Sequence, residues 1–456
     1  MSIDKPPTIA VPHGQLARRL GLFDATMLVM GGIIGSGIFM NPYVVAKSVH
    51  SPFLIFSAWL IGGLAALIGA FIYAELSALR PDVGGQYAYI REAYHPAVAF
   101  VYGWTLLLVT QTGGMAAVAV TFARYFLELT RLPVGDGALA VAALAVLTII
   151  NCLGVRAGST VQNIFMVLKI AAIGFLIFMG LTITKTTNIS LLPVTDRPLS
   201  MDLLTAFGAA MVPVLFAYGG WQTSNFVGGE IREPHKNLPK GLLLGVGGVI
   251  GLYLLVNLVC VGVLGASGLA ETSTPASQIM RMALGEKGAI IIAIGITIST
   301  LGFLSQGILT APRVYFAMAE DKLFFKSVAW IHPKTRVPVV AIVIQGIFAI
   351  IIALSGKYEQ ILNYVVSCDF IFFGLTATTI FVFRKRMKNT LTSNQPFKIP
   401  LHPYSTIIFI AICWLVVINT IIQYPQNTII GVVIMLAGIP VYYLWQRKNK
   451  REEKTV

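Results

Sequence analysis

The sequence predicts an all-α integral membrane protein with twelve transmembrane helices, and three observations carry that prediction. Mean hydropathy is +0.79. Hydrophobic residues make up 56% and charged residues 11% of the chain, where a soluble domain carries about 25% charged residues. Apolar stretches of spanning length recur from end to end, at 22–46, 52–79, 97–123, 137–153, 158–184, 202–228, 241–265, 287–316, 338–354, 359–383, 403–424 and 427–446. All but 137–153 and 338–354 reach the roughly 20 residues that cross a hydrocarbon core. Lysines and arginines are also unevenly placed. With the amino terminus inside, and with Lys287 and Arg313 near the ends of the eighth span counted with the loops they adjoin, 24 lie on the inner side, 8 on the outer side, and Lys169 within a span. That bias places both termini in the cytoplasm of a cell-membrane protein.

The net charge of +14 does not call for nucleic acid. Arg384-Lys385-Arg386 and Arg447-Lys448 fall at inner helix ends, where anionic headgroups attract them, so the expected partner is the lipid bilayer. Residues 1–21 form a polar cytoplasmic segment without the pattern of a cleaved signal peptide. Cys152, Cys260, Cys368 and Cys413 all fall within spans, which implies neither a disulfide framework nor a metal site. No cofactor is expected. Asn188-Ile189-Ser190 matches a glycosylation acceptor in a predicted outer loop.

The first span (LFDATMLVMGGIIGSGIFM, 22–40) carries Gly35-Ser36-Gly37 at its centre. Glycine costs about 1 kcal/mol relative to alanine inside a helix. Unwound backbone within a membrane is tolerated only where it faces protein or a cavity. Gly31, Gly32 and Gly35 alone would equally suit a small-residue packing face. A second break, Gly219-Gly220, interrupts the sixth span, and two interrupted helices at corresponding positions of two halves point to a transporter's binding site. Gly35 and Gly219 lie 184 residues apart. Five spans begin in each of 22–184 and 202–383, so the two copies take opposite orientations. Residues 403–446 supply two peripheral helices, and 447–456 form a cytoplasmic tail.

An unwound Ile33-Ile34-Gly35-Ser36-Gly37 offers both partners that a zwitterion needs. The N–H groups of Gly35, Ser36 and Gly37 lie at the positive end of a half-helix and suit a carboxylate. Carbonyls near Ile33 and Ile34, joined by those of Phe216, Ala217 and Gly219, suit an ammonium. Phe216 and Trp221 flank the second break and are candidate gates. Lys169 lies about eleven residues into the fifth span, which at ~1.5 Å per residue is near mid-membrane. A lysine there is expected to be functional rather than snorkelling, as a protonatable group with Thr297, Ser299 and Thr300 of the eighth span as candidate partners. Glu75 is expected to pair with Arg80. Asp369, deeper in its span, receives no role. No cluster of carboxylates lines a span, which argues against a polycationic substrate. Residues 274–284 fit either a short outer lid or a solvated loop.

Five strings carry a resemblance: Gly31-Gly-Ile-Ile-Gly-Ser-Gly-Ile-Phe39, Tyr73-Ala-Glu-Leu76, Pro81-Asp-Val-Gly-Gly-Gln-Tyr87, Phe216-Ala-Tyr-Gly-Gly-Trp221 and Glu230-Ile-Arg-Glu-Pro-His-Lys-Asn-Leu-Pro239. With the fifth-span lysine, the chain resembles the amino acid–polyamine–organocation superfamily, and within it the L-type amino acid transporters and their bacterial relatives. The resemblance implies a LeuT-type five-plus-five inverted repeat. It implies substrate carboxylate at Gly35, Ser36 and Gly37, the amino group at carbonyls of the first and sixth spans, and Phe216 as gate. It also implies that the Lys169 ammonium replaces sodium. The sequence departs from the eukaryotic pattern in two places. Residues 124–137 lack the cysteine that joins a heavy subunit, so none is expected. Gln222-Thr223-Ser224 follows Trp221, and with Gly113-Gly114 it leaves the pocket size open.

The expected function is sodium-independent exchange of neutral L-amino acids by alternating access. The alternatives are proton-coupled symport through Lys169 and, more remotely, an amino-acid receptor, which would be expected to add an output domain. An enzyme is not expected, because no nucleophile–base pair or metal set converges within the spans.

Overall fold

α1 (Leu22–Ile33) and α2 (Gly37–Val49) are one apolar run, divided at Ile34-Gly35-Ser36 and bent by 41°. They belong to a computed structural model that describes residues 18–455 except 186–190, 192–193, 196–197, 199, 356–357, 388–396 and 424. The glycosylation pattern at Asn188-Ile189-Ser190 lies outside the described residues. α1 is capped by Asp24, whose carboxylate accepts the Gly21 N–H at 2.8 Å and so satisfies an orphan donor of the first turn. α3 (Pro52–Leu79) and α4 (Gln86–Ala93) follow. A π-turn at Leu106–Thr110 joins α5 (Pro96–Thr105) to α6 (Gln111–Thr130). From the first turn of α6 the Thr112 hydroxyl donates to the Leu107 carbonyl of this turn at 2.6 Å, five residues back.

α7 (Asp136–Cys152) and α8 (Val155–Ile183) complete the first set of helices. α9 (Met201–Ala217) begins on Ser200, whose hydroxyl accepts the Leu203 N–H, and ends at a turn, Tyr218-Gly219-Gly220. A 3-10 helix, Trp221–Glu230, continues from it. α10 (Pro234–Glu271) bends where Gly265 takes φ +71°, at the predicted end of the seventh span. α11 (Pro275–Leu284), α12 (Glu286–Thr310), α13 (Pro312–Glu320), α14 (Val339–Ser355), α15 (Tyr358–Met387), α16 (Tyr404–Gln423) and α17 (Pro425–Thr455) complete the chain. Prolines open α3, α5, α10, α11 and α13, where the missing N–H leaves no bond unmade.

Among the described residues, nine helices are long and apolar enough to cross a membrane, or ten with α1 and α2 taken as one bent span. Two shorter apolar helices, α7 and α14, occupy the two stretches that fall short in the sequence. No strand forms among the described residues; Leu20 and Ile231 make one isolated parallel bridge. Large apolar side chains on the outer faces, such as Ile149, Phe178, Leu204, Ile347 and Leu415, are exposed in the way a lipid-facing surface is.

α10 packs against α3 and α1, α12 against α8 and α6, α2 against α9, and α14 against α7. Small residues set the closest approaches. A Cβ added at Gly241 or Gly245 of α10 would lie 2.8 Å from the Ala25 Cβ or 2.6 Å from the Val29 side chain of α1. Of residues 274–284, Pro275–Leu284 form a helix, α11, against α12, α8, α10 and α2.

The charged pairs correct one expectation. Glu75 does not pair with Arg80. It accepts two bonds from Arg384, at 2.8 and 2.7 Å, and a third from the Ile399 N–H, while Arg80 pairs with Glu92. Glu75 is buried at the end of α3, and the nearest cation in space arrives from the end of α15, a neighbour the local sequence does not reveal. A second pair, Glu230 with Arg313, is fully buried. It ties the end of the 3-10 helix to the start of α13.

Candidate functional site

The two breaks face each other across one cavity, which encloses about 850 Å³ of space free of atoms, part of it open to solvent. The chain leaves α1 when Ile34 turns to an extended conformation (φ −76°, ψ 97°) and re-enters a helix at Gly37. Among the described residues, the N–H groups of Gly35, Ser36 and Gly37 donate to no backbone carbonyl. They lie at the amino end of α2, where the helix dipole favours an anion. A carboxylate fits this end of the cavity without any cationic side chain in its wall.

The carbonyls of the break are held by donors from three other helices. Tyr253 of α10 shares its one hydroxyl proton between the Ile33 and the Ala217 carbonyls, at 3.3 and 3.2 Å, bridging the two breaks from behind. Lys169 of α8, fully buried, donates its ammonium to the Ile34 carbonyl. Ser299 of α12 donates to the Gly35 carbonyl at 3.2 Å. Each carbonyl keeps a second lone pair for a further donor. Of the candidate partners of Lys169, Ser299 joins it on the break, while Thr297 and Thr300 donate to carbonyls of their own helix. A threonine one turn along its helix bonds its own backbone before it can reach a neighbour.

The breaks also touch directly. A Cβ added at Gly220, where φ is +101°, would lie 2.0 Å from the Gly32 carbonyl oxygen. One added at Gly32 would lie 2.5 Å from that of Gly220. Only glycines permit this approach.

Of the residues predicted for the site, Ile33, Gly35, Ser36, Gly37, Phe216, Ala217 and Gly219 line the cavity. Ile34 does not; it is fully buried, its carbonyl turned to Lys169. Trp221 also lies behind the wall, packed on Tyr73, Phe373 and Phe409 with ring centroids 4.8, 5.6 and 6.4 Å away. Gln222, Thr223 and Gly114 face the cavity, and the Gln306 amide donates to the Thr223 hydroxyl.

Sequence reasoning missed the remaining walls. Thr110 and Gln111 come from the π-turn and the start of α6, Phe303 and Gln306 from α12, and Val365, Val366, Asp369, Phe370 and Phe373 from α15. The α15 positions recur at helical spacing, a signal shared by every packed span. The π-turn carries no sequence signature, though such turns gather at functional sites.

The amino acid permease family model matches residues 20–445. The serine/threonine exchanger SteT of Bacillus subtilis (strain 168) is 32% identical over 443 residues, covering 95% of this chain and 98% of that protein. The human large neutral amino acids transporter small subunit 2 is 30% identical over 449 residues, covering 95% of this chain and 82% of that protein. The mouse b(0,+)-type amino acid transporter 1 is 28% identical over 440 residues, covering 94% and 88%. A match that runs through both broken helices and nearly the whole helical set shows that the chain belongs to the amino acid permease family of membrane transporters.

Proposed function

We propose that this protein exchanges neutral L-amino acids across the cell membrane, without sodium, by alternating access. One observation carries the reading. Two unwound segments meet at a single cavity, where N–H groups of Gly35, Ser36 and Gly37 lacking backbone acceptors stand beside the Ile33 and Ala217 carbonyls. That set matches the charged ends shared by all α-amino acids. The relatives named as a serine/threonine exchanger and as a large neutral amino acids transporter support the substrate class and the exchange.

In this reading the chain has twelve spans in a LeuT-type five-plus-five inverted repeat, 22–184 and 202–383, with 403–446 peripheral and both termini cytoplasmic. The packing of α3 on α10, α6 on α12 and α7 on α14 pairs each element with its counterpart in the other half and supports that arrangement. Phe216, partly exposed at the cavity, closes over the substrate. Trp221 braces the wall from behind, and the Lys169 ammonium fills the place of a sodium ion. One relative is named as a small subunit. This chain has no cysteine in 124–137, and it works without a disulfide-linked partner.

The test is uptake of a labelled neutral amino acid into proteoliposomes. Uptake should require amino acid inside and be indifferent to sodium. Robust uptake into empty vesicles under a sodium gradient would overturn the reading. The buried Lys169 favours one second reading, proton-coupled symport. That reading predicts uptake into empty vesicles under a pH gradient, abolished in Lys169→Ala.

A further inference from the structure

The cavity wall carries one formally charged side chain among its described residues, Asp369 of α15. We propose that Asp369 is a specificity-determining residue that accepts a hydrogen bond from the substrate's own side chain, selecting side chains that end in a hydroxyl or an ammonium over aliphatic ones of the same shape. The proposal rests on the exchanger reading and adds to it the part of the substrate that the broken helices do not touch; preference for an ammonium would extend the substrates beyond the neutral amino acids.

Three features of the surroundings support it. First, Asp369 is partly exposed, so its carboxylate opens to the cavity. Thr110 of the π-turn shares the cavity wall with it, and among the described residues no lysine or arginine pairs with it. A carboxylate in such a place is costly unless donors satisfy its lone pairs, and one threonine hydroxyl leaves most of them unfilled. Second, the rest of the α15 face in the wall is apolar. Val365, Val366, Phe370 and Phe373 offer no conventional hydrogen-bond acceptor, so on that face a substrate donor has Asp369 as its acceptor. Third, there is room. Gly114 of α6, which lines the cavity with Gln111 of α6 and Thr110 of the π-turn, has nothing within 4 Å of where its Cβ would stand.

The roles then divide cleanly. The break residues hold the carboxylate and ammonium common to all substrates, so they cannot discriminate between side chains. Apolar contact discriminates weakly between a methyl and a hydroxyl, whereas a buried acceptor built for a donor rejects the analogue that lacks it. Asp369 supplies that acceptor.

The experiment uses isosteric competitors against exchange by the full-length protein in preloaded proteoliposomes. Threonine against valine tests the hydroxyl, and lysine against norleucine tests the ammonium. The wild type should favour the donor member of at least one pair by about 10- to 100-fold, the range of a hydrogen bond to a charged group. In Asp369→Leu that ratio should fall to about one. In Asp369→Asn, where an amide oxygen still accepts but the charge is gone, the lysine preference should collapse and the threonine preference should fall only in part. Wild-type ratios of one for both pairs, or ratios unchanged in Asp369→Leu, would overturn the proposal. If Asp369→Leu does not fold, Asp369→Asn decides, and unchanged ratios there overturn it equally. If the wild type exchanges nothing, the exchanger reading fails by itself. Thermal stabilisation by threonine against valine, in wild type and Asp369→Asn, then tests Asp369 independently.

Discussion

Gly220→Ala tests the contact between the two breaks. Gly220 holds φ at +101°, and its missing Cβ would stand 2.0 Å from the Gly32 oxygen and 2.7 Å from the Gly32 carbonyl carbon. Both are backbone atoms, so no side chain can turn aside. To bring that oxygen out to the 3.4 Å of an ordinary contact, the two breaks must separate by more than an ångström. The Tyr253 hydroxyl already spans them at 3.3 and 3.2 Å and cannot keep both acceptors. Positive φ in an alanine costs about 1–2 kcal/mol, and each lost hydrogen bond about 1 kcal/mol. A total of about 3 kcal/mol predicts roughly a 100-fold loss of exchange. The assay is exchange of labelled amino acid in preloaded proteoliposomes, beside a melting curve of the purified protein in detergent. Gly114→Ala is the control for adding a methyl to the same cavity without a clash. It should leave the melting temperature unchanged and raise KM for bulky substrates only. Exchange by Gly220→Ala within about twofold of wild type, with an unchanged melt, would refute the backbone contact as a requirement.

Three further outcomes follow from the same geometry. Tyr253→Phe removes only the hydroxyl that bridges Ile33 and Ala217, and should slow exchange about tenfold while expression and folding persist; initial-rate measurements check it. Lys169→Ala removes a charge-assisted bond to the Ile34 carbonyl, of about 1.5–3 kcal/mol, and should reduce exchange at least tenfold; exchange at wild-type rate would rule out a role in shaping the break. Glu230→Gln leaves the fully buried Arg313 without its counter-charge. It should destabilise the protein by about 3–5 kcal/mol, seen as a large fall in the apparent melting temperature.

Much of this architecture was legible because the bilayer simplifies the physics. A hydrocarbon solvent forces backbone pairing within each segment, so hydropathy alone located the helices, and the 17-residue α7 and α14 fell where the sequence had its two short stretches. The breaks were legible for a related reason: glycines at the centre of a span have few explanations. What the sequence hid lies at right angles to the chain. Glu75 found Arg384 across 309 residues rather than Arg80 beside it. Lys169 found a backbone carbonyl rather than the α12 hydroxyls. Asp369 had no visible role because its position in the cavity depends on how α15 is rotated against α6, which the sequence of one helix does not record.

The placement of the three donors behind the first break links binding to movement. Tyr253, Lys169 and Ser299 belong to α10, α8 and α12, three helices that all pack on α1, with α8 also packed on each of the other two. Three consecutive carbonyls, Ile33, Ile34 and Gly35, each take one of these donors, so the shape of the unwound turn is set by the relative positions of the three helices. A shift of any one by an ångström lengthens its bond past usefulness and turns a carbonyl toward or away from the cavity. In the proposed exchange, a substrate ammonium on Ile33 or Ala217 and a rocking α10 therefore act on the same Tyr253 hydroxyl. Binding and rearrangement are coupled through that shared atom, and Tyr253→Phe should weaken the coupling more than the binding. Measured side by side, the maximal exchange rate should fall further than the apparent affinity. A loss confined to KM would place Tyr253 in binding alone and break the link.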